Sequence, residues 1–357
     1  MTRPVIVSAR RTAVATVGRG FAGIGPTQLL APLIAEQARI LPRVDDVVIG
    51  MARSAGGDPA RVAALEAGLD VPGVTIDRQC GSGLAAIALA ASMVRAGDAT
   101  HVIAGGVESA STAPVGRARF APDSIGDPDM GPAAEQLATD RGITRDRQDA
   151  YAALSHERAM AADVADEILA VNGVDRDDRP RHLDARLLAR MPAAFTAAGT
   201  VTAGNSCGVS DGAAAVTVVD DAWRRDHELP GMIIRSHATT SCDPRTPGIG
   251  PVDAIRAVCD RGGVDLADVD VIEITEAFAA QVLAVTDALG LDPLGRDAHR
   301  ICPLGGAIAM GHPWGASGAI LVVRLFTHLV RHRTARFGIA ACAVGGGQGV
   351  AMLVERT

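Results

Sequence analysis

The sequence predicts an α/β fold in which one strand–helix unit occurs twice, with a mainly helical segment inserted between the copies. Three observations predict it. Short apolar runs alternate with longer runs at helical spacing, the pattern of strands covered by helices. The second half of the chain repeats the order of the first. The stretch between the halves breaks the alternation and is rich in Asp, Arg, Pro and Ala.

In chain order, "PVIVSA" opens as a strand, "PTQLLAPLIAEQARI" follows at helical spacing, and "VDDVVIG" and "GVTIDRQ" return to strands. "GLAAIALAASMVRAG" carries Leu84, Ile87, Ala88, Ala91 and Val94 on one helical face, and "THVIAGGVES" is a strand running into glycines. The insert has helical stretches in "GPAAEQLATDRG" and "RDRQDAYAALSHERAMAADVADEIL" and rejoins the first unit at "TVTAGNSCGVSDGAAAVTVV". In the second half "VDVIEITEAFAAQ" repeats "VDDVVIGMARSAG". "GGAIAMGHPWGASGAILVVRLFTHLV" repeats the cysteine-bearing turn and helix, and "RFGIAACAVGGG" repeats "THVIAGGVES". The expected divisions are residues 1–110 plus 200–228, a loop or lid domain over 111–199, and 229–357.

Composition bounds the function. At 357 residues the chain is long enough for two or three packed units. Aromatics are only 3%, so the core is built from Ala, Val, Leu and Ile, and the 40 glycines permit close backbone approach. The net charge of −7 without a basic run argues against a nucleic-acid partner. The longest apolar stretch, "LAAIALAASMV", falls short of the roughly 18 residues a membrane span needs. No signal-peptide pattern opens the chain. Six cysteines without a C-x-x-C pair predict neither a disulfide framework nor a metal site. These features together predict a reduced, cytoplasmic chain. "GRGFAG" matches a dinucleotide-binding pattern but lies in a polar loop after its strand, so it reads as a turn. Asp211 reads as a turn residue, Cys242 and Cys259 as structural. The Arg-rich "DRDDRPRHLDARLLAR" reads as a solvated face of the lid, with arginines within reach of phosphates.

Two stretches carry chemistry. In "DRQCGSGL", Cys80 stands where a strand hands over to a helix, where free N–H groups and the helix dipole favour a thiolate. In "GGAIAMGHPWGASGA", His312 stands in the corresponding glycine-rich turn of the second copy. Matching turns of a duplicated unit can meet at one cleft, and a Cys–His pair there is a nucleophile with its base.

With these motifs in view, "CGSGL", "VIAGGVESAS", "GTVTAGN" followed by "DGAAAV", "EAFAAQ", "GGAIAMGHPWGASGA" and "GGGQG" resemble the thiolase family in order and spacing, over essentially the whole chain. The resemblance implies a five-layer α/β/α/β/α fold with a loop domain, assembled as a homodimer or homotetramer. It implies action on acyl-CoA thioesters, with a coenzyme A thioester as substrate and no permanently bound cofactor. Cys80 is the implied nucleophile and His312 the base that also helps bind the thioester oxygen. The N–H groups of Cys80 and Gly345 form an oxyanion hole. His156, Ser206, Cys207, Cys302 and Gly311 are the implied substrate-binding positions.

Four positions depart from the family pattern. Thr275 replaces the Asn before "EAF" that holds a water, Cys207 replaces a Ser near the thioester, and Cys302 replaces an Asn. The fourth concerns the second catalytic cysteine. Laid without a gap on "GIAACAVGGGQG", it falls on Ala343; counted forward from His312, it falls on Cys342. Successive strand residues face opposite ways, so the two registers differ in which residue meets the pocket unless a bulge intervenes. Cys342 is taken as the candidate. Without it, Cys207, Cys302 and His312 are the alternative bases. The departures leave two other readings: a specialised thiolase-like condensing enzyme, and an impaired acyl-CoA-binding or partner subunit.

Overall fold

The computed structural model describes residues 2–54 and 56–357. Its first half holds the strands β1 (Pro4–Arg11), β2 (Ala15–Thr16), β3 (Asp46–Gly50), β4 (Gly73–Ile76), β5 (His101–Ser109) and β6 (Ser210–Asp220). Helices α1 (Pro26–Ala38), α2 (Pro59–Glu66) and α3 (Ser82–Ala96) connect them. The insert carries α4 (Met130–Asp140), α5 (Arg145–Ala161) and α6 (Ala185–Ala189), and α7 (Asp221–Asp226) follows β6. The second half runs β7 (Met232–Ser241), α8 (Pro251–Gly262), β8 (Val271–Ile274), α9 (Ala279–Ala288), α10 (Ala307–Met310), α11 (Trp314–Phe326), β9 (Phe337–Val344) and β10 (Gln348–Arg356).

Strand pairing makes the duplication explicit. The first half-sheet has the order β4-β3-β5-β6-β1, with β2 beside β6; the second has β8-β9-β10-β7. In both, a parallel pair (β3 with β5, β8 with β9) is followed by two antiparallel neighbours. The place of β4 beside β3 is echoed by a parallel bridge, Ile272 to Ile301. Among the described residues the half-sheets pair at Val5–Ile233 and Ile6–Met232.

Helices α3 and α11 are the equivalent pair from the two copies, and they pack on each other and on strands of both half-sheets. Their apolar faces, including Leu84, Ile87, Ala91, Val94, Ala319 and Val323, form one core with Val102, Val216, Ala340 and Met352. The crossing is made backbone to backbone: a Cβ on Gly83 would lie 2.7 Å from the Gly315 carbonyl and 2.9 Å from the Ala319 nitrogen. Helices α1 and α2 cover the outer face of the first half-sheet and α8 that of the second. The layered α/β/α/β/α arrangement expected from the sequence is therefore present. The middle layer brings the N-termini of α3 and α11 together, and with them the two chemical turns.

The insert is less helical than its composition suggests. Beyond Ala161 the chain runs irregularly to Asp184 and is fixed by buried ions instead. Arg11 of β1 bonds Glu167 at 2.9 Å and Asp177 at 2.8 Å, both from the insert. Arg324 and Thr327 bond Glu167 from the far end of α11. Asp211, expected as a turn residue, lies in β6 and accepts from the Ser111 N–H and hydroxyl, tying down the start of the insert.

Candidate active site

Cys80 is presented by a strained turn. After β4 the chain enters a single 3₁₀ turn, Gln79–Gly81, in which Gln79 has φ 47°, a left-handed conformation that costs a side-chain-bearing residue energy. The Ser82 hydroxyl closes it by accepting from the Arg78 N–H at 2.8 Å and donating to the Gln79 carbonyl at 2.7 Å. The turn thus lifts Cys80 out at the head of α3.

His312 is held from both sides. Its N–H donates to the Gly208 carbonyl at 2.9 Å. Its Nδ1 lies 2.6 Å from the Ser317 hydroxyl oxygen, and that hydroxyl donates to the Pro313 carbonyl at 3.0 Å. With the hydroxyl proton so directed, Nδ1 carries the ring proton and Nε2 holds the free lone pair. Nε2 is buried and has no partner among the described residues. Cys80 and His312 line the same cavity of about 120 Å³. An outer cleft of about 570 Å³ shares Cys80, Cys207, Phe278, Trp314 and Gly345 and adds Arg53 and Arg117 toward solvent.

Burial decides the protonation states. It lowers His312 to about 4, so the imidazole is neutral near pH 7. It pushes the Cys80 thiol well up, reinforced by Cys207, Cys342 and Glu108, against a small lowering from its own backbone N–H. The thiolate favoured by the helix terminus in the sequence reading is thus outweighed. The resting pair is a thiol and a neutral imidazole, suited to proton transfer as the sulfur attacks.

The other expected residues divide into two groups. Cys207 lines both the cavity and the cleft beside Cys80, and Gly345 does the same. Gly345 is glycine because a Cβ would lie 2.6 Å from the Phe120 ring of the insert. Ser206 lines the outer cleft, but its hydroxyl is spent on the Thr202 carbonyl at 2.6 Å. Gly311, with φ 112°, packs its Cα against the Ser210 hydroxyl and precedes His312 without lining the cavity.

Four residues stand outside the cavity wall. His156 is buried and accepts from the Arg181 N–H at 3.3 Å. Cys302 is buried against β8, its sulfur 3.4 Å from the Ile274 nitrogen. Thr275 and Cys342 are buried against each other, Oγ1 to Sγ 3.3 Å. Pairing of Cys342 with Val350 and of Ala343 with Gly349 sets the register of β9. In that register Cys342 joins the core between the half-sheets, and Ala343 lines the cavity. The expectation that Cys342 faces the pocket is corrected accordingly; the gap-free register, with Ala343 at the family cysteine position, fits the geometry.

Sequence reasoning missed Gln281, the last residue of "EAFAAQ". It lines the cavity, is 1% exposed, and neither its amide nitrogen nor its oxygen has a partner among the described residues. It missed Ser317, whose only signal was its place one helical turn beyond Pro313. It also missed Arg179, read as solvated: a Cβ on Gly208 would collide with its guanidinium, so it lies against the Cys207 loop. No helix among the described residues is long and apolar enough to cross a membrane.

Comparison with known proteins agrees with this layout. The family model described as "Thiolase, N-terminal domain" matches residues 4–126 and 121–222, and "Thiolase, C-terminal domain" matches 229–356. A putative acetyl-CoA C-acetyltransferase of Bacillus subtilis is 42% identical over 363 positions, covering 98% of each chain. An acetyl-CoA acetyltransferase of Pseudomonas aeruginosa is 41% identical over 394 positions, covering 99% of each. That alignment is longer than this chain's 357 residues, so the Pseudomonas protein carries segments absent here. The crystal structure of the Bacillus anthracis acetyl-CoA acetyltransferase superposes with a TM-score of 0.93 at 33% identity, covering 100% of this chain and 99% of that one. The chain belongs to the thiolase family and is an acyltransferase of that family.

Proposed function

We propose that the protein transfers acyl groups between coenzyme A thioesters through an acyl-Cys80 intermediate, forming or cleaving 3-oxoacyl-CoA. The Cys80 thiol gives its proton to His312 Nε2 as the sulfur attacks the thioester carbonyl. The carbonyl oxygen gains its charge beside the N–H groups of Cys80 and Gly345. The coenzyme A sulfur then leaves with the proton held by His312. The observation that carries this reading is the cavity shared by the Cys80 thiol and a buried imidazole whose one free nitrogen has no other partner among the described residues. The same reading takes a coenzyme A thioester as the substrate, needs no permanently bound cofactor, and fits a cytoplasmic homodimer or homotetramer.

A specialised condensing role is the second reading. It is favoured by Ala343 in the cavity wall and by Thr275, whose hydroxyl lies 3.3 Å from the buried Cys342 sulfur. Assay of the purified protein for cleavage of acetoacetyl-CoA by coenzyme A separates the two. General thiolase activity predicts turnover that falls at least about 10³-fold in Cys80→Ser and in His312→Ala. Absence of cleavage alongside rapid condensation of other acyl-CoA pairs would favour the specialised role.

A further inference from the structure

The strand that carries a second thiol in the family presents alanine to this cavity, and the thiol of Cys342 is buried behind it against Thr275. Cys302 is likewise sealed against β8. Among the described residues one other cysteine shares the cavity with Cys80 and His312, and it is Cys207. We propose that Cys207 is the acid–base thiol that moves the proton at the α-carbon of the coenzyme A thioester, in place of a cysteine on β9. The proposal rests on the acyl-Cys80 reading.

Three observations support it. The loop of Cys207 is pinned on both sides of the residue. The Cys207 N–H donates to the Ala277 carbonyl at 2.9 Å, and the next carbonyl, that of Gly208, accepts from the His312 N–H at 2.9 Å. The thiol is therefore held between the T-E-A-F turn and the catalytic histidine. The second is a cation beside it. The Arg179 guanidinium lies against Gly208, and its buried Nε has no partner. The third is His312 Nε2, buried, unpartnered and belonging to a residue of the same cavity wall. A reacting group seated between Cys80 and Cys207 would meet that nitrogen. Burial raises the Cys207 thiol to about 12, with Arg179 acting against the rise. The resting residue is thus a neutral thiol able to donate a proton.

The proton and electron count closes in the cleavage direction. Cys80 passes its proton to His312 and its sulfur bonds C3 of the 3-oxoacyl chain. The C2–C3 bond breaks, its electron pair remains on C2 as the enolate of the departing thioester, and the Cys207 S–H protonates C2. The Cys207 thiolate, beside Arg179, then takes the thiol proton of incoming coenzyme A. The coenzyme A thiolate attacks acyl-Cys80, and the Cys80 sulfur leaves with the proton from His312. Condensation is the reverse, with the Cys207 thiolate removing the α-proton.

The test uses the purified full chain with acetyl-CoA in D₂O, measuring deuterium entry into the acetyl methyl group and the acetyl mass on the intact protein. The expected result is that Cys207→Ser retains the acetyl-Cys80 adduct but loses exchange by at least about 100-fold, the usual scale of acid–base catalysis. Cys342→Ser keeps both within a few-fold. Exchange at the wild-type rate in Cys207→Ser, or its loss in Cys342→Ser, overturns the proposal. Retention of exchange in both assigns the step to His312 and overturns it equally. Absence of any adduct in the wild-type protein would instead remove the acyl-Cys80 reading itself. The adduct in Cys207→Ser also reports that the variant is folded.

Discussion

His312 can act as a base because burial keeps it neutral. Its folded value of about 4 means that lowering the pH removes the base only as the pH approaches 4. Rapid-quench measurement of Cys80 acylation should therefore be flat in this group from pH 7 to about 5 and fall below that. A fall centred near 6.5 would mean a solvated histidine. The hydroxyl of Ser317 sets which nitrogen is free, so Ser317→Ala should slow acylation about tenfold while substrate affinity holds. At this scale the sequence was informative where a motif fixes a turn. Cys80 and His312 were legible because the glycines around them mark turns whose backbone conformations and close approaches other residues cannot adopt. Gln281 and Arg179 were not, because their meaning depends on what packs around them: a carboxamide stripped of partners, and a guanidinium laid on a glycine. The sequence offered both Cys342 and Ala343, and pairing of β9 with β10 decides between them.

Among the elements, α5 is fastened to the second half by a buried carboxylate, besides Arg147 bonded to Asp287 at 2.9 Å and Arg158 bonded to the Ile301 carbonyl at 2.7 Å. Glu276 accepts from Tyr151 at 2.9 Å and Ser155 at 2.6 Å, both on α5, and from the Ile308 N–H at 3.2 Å. Glu276→Ala would leave three donors without an acceptor and should cost about 3 kcal/mol, with faster amide exchange concentrated in α5. Unchanged exchange there would show that the Glu276 bonds do not hold the helix. The α3–α11 crossing tolerates no side chain at Gly83, whose Cβ would press on backbone atoms, so Gly83→Ala should lower stability by about 2–4 kcal/mol in urea unfolding. Both copies of the strand–helix unit were legible from periodicity, because each element buries a continuous apolar face. The irregular stretch beyond Ala161 was not, because ionic anchors such as Arg11 to Glu167 and Asp177 leave no periodic trace.

For the molecule as a whole, stability depends on pH through a carboxyl group buried without a hydrogen bond among the described residues. Glu273 is fully buried, neither of its oxygens is hydrogen-bonded, and burial raises it to about 8. Above its unfolded value near 4.5 the unfolded chain ionises this group while the folded chain keeps it protonated, which favours unfolding increasingly up to about pH 8. Glu273→Gln should therefore raise the melting temperature at pH 8 and lose that advantage toward pH 4.5. A gain equal at both values would assign the effect to packing. The two half-sheets, the shared central helices and the two chemical turns form one duplicated design, and in the proposed mechanism the first turn carries the nucleophile and the second its base.

The most direct test of that claim is the intact mass of the protein after brief mixing with acetyl-CoA and acid quenching, followed by peptide mapping. One added acetyl group is expected on the peptide containing Cys80, present in the wild type, absent in Cys80→Ser and formed far more slowly in His312→Ala. An acetyl group on another cysteine, or an adduct that survives in Cys80→Ser, would contradict it.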